Sequence, residues 1–130
     1  MNSTNNGAEG NPDLGQAHIQ TINIYCNKVT GDVEVSGNGK ATVHSGHFVK
    51  WNVTCSKITK IEIIPGSKGF AQHKDIWEIK PAPLGALVWM GQVKTLGDED
   101  PPSIEGFYSV IWFDEFNTPH VIDPLIEVNK

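Results

Sequence analysis

The sequence predicts an all-β fold, a β-sandwich of about seven to nine strands, and three observations carry that expectation. Apolar and polar residues alternate in short runs, as in Ile58-Thr-Lys-Ile-Glu-Ile-Ile64. Turn residues interrupt those runs roughly every 8 to 12 positions, and no stretch longer than about 12 residues repeats its apolar side chains at the helical period. The chain has 130 residues, 38% of them hydrophobic, with four Trp and five Phe. That is enough large apolar surface for one self-sufficient core, since a domain of this size buries roughly two-thirds of its unfolded surface.

Residues 1–16 are rich in Asn, Gly, Ser and Pro around a single large aliphatic residue, Leu14. Such a composition buries too little apolar surface to offset ordering entropy, so a disordered tail is expected there and a single domain over 17–130. Ile19 to Cys26 alternates with apolar groups on both faces, which predicts a central strand. A meander follows: Asp32–Ser36, a Gly37-Asn-Gly39 turn, Ala41–His44, a Ser45-Gly46 turn, and Phe48–Val53. Ile58–Ile64 stops at Pro65-Gly66. Ile76, Trp77 and Ile79 suit a short edge strand ending before Pro81-Ala-Pro83, and Leu84–Val93 suits another. After the acidic turn Gly97–Ser103 come a long strand, Ile104–Phe113, a loop, and a last strand, His120–Val128.

Net charge is −5, and every one of the ten basic residues is Lys. Without Arg there is no forked donor for phosphate or guanine, so nucleic acid is not an expected partner. The longest apolar run, Ala86-Leu-Val-Trp-Met90, falls far short of the ~20 residues of a membrane helix. The opening residues show neither the basic nor the apolar region of a secretion signal, which makes a soluble cytoplasmic protein the default expectation. Sheet edges leave a homodimer open.

Two segments carry a family resemblance. Val43-x-x-Gly46-x-x-Val49-x-Trp51 resembles the hairpin by which cupredoxins enter their third strand, and Tyr108-x-Val110-x-Trp112 resembles their penultimate strand. Ile122-Asp-Pro-Leu-Ile-Glu-Val128 resembles the closing strand of such sandwiches. The resemblance implies a cupredoxin-like Greek-key sandwich, with an immunoglobulin-like sandwich as the alternative. Type 1 copper needs one thiolate, two imidazoles and a weak axial ligand. Here Trp112 stands in the Cys position, Phe113–Pro119 lacks the following His and Met, and Lys60, Ile61 and Glu62 occupy the region of the upstream His. No type 1 copper is expected.

The resemblance also implies that the first and third strands run side by side and parallel, which places Cys26 and Cys55 near the same end. They are read as buried free thiols, as a disulfide, or as a metal or redox site that with His120 would suit zinc. His44 and His47 form an H-x-x-H pair across a turn, without the helical spacing that makes such pairs ligand signals. Asp98–Asp100 and Asp114-Glu115 are acidic clusters without the alternation of a calcium loop. No nucleophile elbow, phosphate loop or dinucleotide fingerprint is present. Trp77, with Phe70 and His73 nearby, is expected to be partly exposed and to offer a contact surface. Phe70, His73, Trp77, Asp114 and Glu115 are therefore the candidate contact residues.

The leading functional expectation is a non-catalytic binding or assembly module that meets a protein or small ligand through loops 67–74 and 114–120. A metal or redox protein centred on Cys26, Cys55 and a His is the alternative. A small hydrolase or isomerase is the weaker one.

Overall fold

A computed structural model describes residues 18–66 and 75–130 of the chain, and within them the alternating segments form ten strands. β1 (Ile19–Cys26), β2 (Val33–Val35), β4 (Phe48–Val53), β6 (Trp77–Gly85) and β7 (Val88–Val93) make one five-stranded sheet in the order β2-β1-β4-β7-β6. β3 (Lys40–His44), β5 (Lys60–Pro65), β8 (Ser103–Phe113) and β10 (Leu125–Asn129) lie in the other, in the order β3-β10-β8-β5, with β9 (Pro119–Ile122) also paired to β8. The all-β sandwich expected from the alternation is present, with β1 inside its sheet. The tail expected over 1–16, together with Phe70 and His73, lies outside the described residues.

The strand count exceeds nine for a chemical reason. β8 pairs with β9 through Trp112↔His120 and with β10 through Phe107↔Leu125, in one unbroken register. Between them Tyr108 N–H donates to the Pro124 carbonyl at 3.1 Å, and Ser109 Oγ donates to Asp123 Oδ1 at 2.6 Å. β9 and β10 are thus one long strand interrupted at Pro124, which has no N–H for the ladder. The other departure is β6. The sequence suggests a strand ending before Pro81, yet β6 runs on through Pro81 and Pro83 with register shifts along β7. Its place at the sheet edge allows this, because an edge strand needs only half its backbone groups.

Ile22, Ile24, Val49 and Trp51 of the first sheet and Ile61, Ile63, Tyr108, Val110, Ile126 and Val128 of the second are buried between the sheets. Two indoles tie the layers. Trp51 Nε1 donates to Tyr108 Oη at 3.1 Å, with the rings edge to face at 5.4 Å, and Trp89 Nε1 donates to the Ile61 carbonyl at 3.1 Å. Burial pushes the Tyr108 hydroxyl well above its ordinary pKa, so it remains neutral. Trp77 corrects an expectation: it is 5% exposed and packs 5.8 Å from Trp51. Its register partner Val93 is fully buried, so the indole points inward and offers no contact surface.

Candidate functional site

The parallel pair β1–β4 organises both ends of the molecule. Its register runs from Ile19↔Phe48 to Ile24↔Val53. The same offset of 29 positions, continued past the paired residues, sets His18 beside His47 at one end and Cys26 beside Cys55 at the other. At roughly 3.3 Å per residue, about 26 Å of strand separates the two pairs.

At the cysteine end the two sulfurs are joined as a disulfide, with Cα atoms 5.1 Å apart. Of the readings left open by the sequence, this one is realised. The sulfurs of the proposed Cys26, Cys55 and His120 set therefore offer no thiolate to zinc. His120 is engaged elsewhere: its Nε2 donates to Asp114 Oδ2 at 2.9 Å, and its ring stacks on Trp112 at 4.0 Å with 12° between planes. Trp112 packs against the core edge and serves as the platform for that imidazole.

Asp114 shapes the loop joining β8 to β9. Its Oδ1 accepts the N–H groups of Phe116 at 2.9 Å and Thr118 at 3.0 Å, while Asn117 adopts a left-handed φ of 62° that Asn tolerates. The bond from His120, then that from Thr118 N–H, holds the Asp114 carboxyl below its ordinary pKa. Thr59 fastens the loop from below through Phe113 and Asp114 carbonyls. With its backbone fixed in this way, the loop leaves Phe116 82% exposed and Glu115 in solvent.

A second loop at the same end repeats the device. Asn27 Oδ1 accepts the N–H groups of Val29 and Thr30 at 2.8 and 3.1 Å, and Val29 is 93% exposed. Lys57 Nζ donates to the Gly31 carbonyl, linking this loop to the segment that carries Cys55. In each case an Asx side chain at the end of a strand fixes the loop and an apolar side chain two residues on is left in water.

The opposite end gathers three of the five histidines. His18 Nδ1 and His47 Nε2 lie 2.9 Å apart, and the His47 ring centroid is 4.5 Å from His18 and 4.8 Å from His44. The backbone fixes them. Phe48 N–H donates to the His18 carbonyl, His47 N–H to the His44 carbonyl, and Val93 N–H to the His47 carbonyl. Gly46 turns the chain at φ 81°, where a Cβ would meet Thr95 Oγ1 at 2.9 Å. Partial burial, then the neighbouring His18 and His44, lowers the His47 pKa. Among the described residues no group of three or more His, Cys, Asp or Glu is already arranged to hold a metal ion, and no helix is long and apolar enough to cross a membrane.

Sequence reasoning reached Cys26, Cys55, Asp114 and His120 but not Val29, Phe116 or His18. The offset that aligns the two cysteines could have found His18, since it carries His47 onto it. Comparison with models of known protein families and with curated proteins gives no match.

Proposed function

We propose that this chain is a non-catalytic binding module on a cupredoxin-like Greek-key scaffold without type 1 copper, and that it meets a protein partner through the loops of its disulfide end. The observation that supports this best is Phe116, a large apolar side chain 82% exposed on a loop held by Asp114. An ordered loop presents an aromatic anchor at low entropic cost. Val29, exposed on a second fixed loop at that end, favours an extended partner surface. The side chains project, whereas small-molecule sites are concave, so a protein partner fits better than a small ligand. The parallel β1–β4 pair supports the cupredoxin-like reading. The Cys26–Cys55 bond favours an oxidising compartment over the default cytoplasm.

A displayed peptide library selected on the folded chain tests this. Peptides enriched on the wild type should bind Phe116→Ser about tenfold or more weakly, and Val121→Ser, exposed on β9, equally well. Peptides indifferent to Phe116 and Val29 would refute the surface. Turnover of a substrate that disappears in Asp114→Asn or His120→Gln would refute the non-catalytic assignment.

A further inference from the structure

We propose that the imidazoles of His18 and His47, with His44 beside them, form a binding site for a divalent transition-metal ion that prefers right-angled nitrogen ligands, copper(II) or nickel(II) ahead of zinc.

Distance carries the first part. Two metal–nitrogen bonds of about 2.0–2.1 Å meeting at a right angle put the nitrogens about 2.9 Å apart, whereas a tetrahedral angle puts them about 3.4 Å apart. The observed His18 Nδ1 to His47 Nε2 separation is 2.9 Å, which matches adjacent corners of a square or octahedral ion. A hydrogen-bonded imidazole pair reaches the same distance, and what separates the two roles is the supply of further ligands. His44 is exposed and its ring stands 4.8 Å from that of His47, near enough that a change of rotamer at the surface would be what turns its nitrogens toward the pair. Water completes the shell.

The backbone carries the second part. His18 and His47 sit at the head of a parallel strand pair, bonded through Phe48 N–H to the His18 carbonyl at 2.7 Å and Val93 N–H to the His47 carbonyl at 3.1 Å. Gln92 Nε2 donates to the Gly46 carbonyl at 2.9 Å and braces the turn between His44 and His47. The backbone beneath the imidazoles is thus ordered before an ion binds, and the ordering left to the site is that of side chains. Imidazole suits nickel, copper and zinc, and copper(II) binds most tightly to a given nitrogen site. A net charge of −5 favours cations generally.

The test titrates the whole chain with copper(II), nickel(II) and zinc(II) salts in turn, followed by calorimetry and by competition with a chromophoric chelator. One equivalent is expected, copper tightest, with nickel ahead of zinc. His18→Gln and His47→Gln should each lower copper affinity about tenfold or more, since even partners of ligands cost that much. His44→Gln should lower it less, and His73→Gln and His120→Gln should leave it unchanged. Electron paramagnetic resonance of the copper form should show two coupled nitrogens or more in the wild type and fewer in either variant, a signature that a merely structural pair does not give. Circular dichroism checks that the variants fold, and His18→Gln, at the strand's start, stands in if His47→Gln does not. The proposal is overturned if copper binds no tighter than about 100 µM, if affinity ignores both substitutions, or if it follows His73 or His120 instead.

Discussion

The two ends of the β1–β4 pair differ in what their side chains have left to give. At the cysteine end the sulfurs are bonded to each other, His120 is occupied by Asp114 and Trp112, and Asn27 and Asp114 spend their oxygens on loop backbone. At the histidine end the imidazoles face one another, and among the described residues no carboxylate is bonded to them. One register produces both. On the readings proposed above, the saturated end is the rigid surface to be recognised, and the end where His18 and His47 bond ring to ring is the one to take up an ion.

The largest expected effect separates the ends by stability. Replacing Cys26 and Cys55 with Ala removes a cross-link over 29 residues, which in the chain-entropy account lowers stability by about 3–4 kcal/mol. Denaturant midpoints would register that loss, and the histidine end should keep its geometry, seen as unchanged metal titration. If the double variant also alters that titration, the ends are coupled and the contrast fails.

Next comes the turn at the histidine end. Gly46→Val forces a branched side chain into φ 81° against Thr95, which should cost about 1–3 kcal/mol and disturb His47 while sparing the 114–118 loop. Amide spectra that move only around His18, His44 and His47 would sharpen the comparison; movement at Phe116 would break it. At the other end, Asn117→Val places a β-branched residue at φ 62° and should cost about 1 kcal/mol, with faster amide exchange at Phe116 and Thr118 as the local readout.

The smallest effects are in pH dependence, and the two ends should respond in different ranges. The His47 pKa is lowered in the folded chain, so the unfolded chain binds the proton more readily. Its contribution is fully present above the ordinary value of 6.5 and is lost as pH falls below it. His47→Asn should flatten that slope. Asp114 is also lowered, so its contribution is present above its ordinary 3.8 and is lost as pH falls through the lower folded value. Stability curves of His47→Asn and Asp114→Asn that depart from wild type in the same pH range would contradict this assignment.

Alternation along Ile19–Cys26, Phe48–Val53 and Ser103–Phe113 fixed those strands locally, because period-two patterning and turn residues act within a few positions. It also brought Cys26 and Cys55 to one end once the parallel pair was assumed. Trp77 and β6 were misjudged because burial at a sheet edge depends on what the neighbouring strand presents, here Val93 and the bulged pairing with β7. Phe116 and Val29 were overlooked because exposure of an apolar residue is a property of the folded surface, and the Asx bonds that hold it out are made only when the strands on either side are in place. By itself, then, the sequence determined the sandwich and its main strands. Only the tertiary structure decided that a single register offset joins Cys26 to Cys55 and faces His18 with His47, since pairing between strands 29 positions apart depends on the whole sheet being assembled.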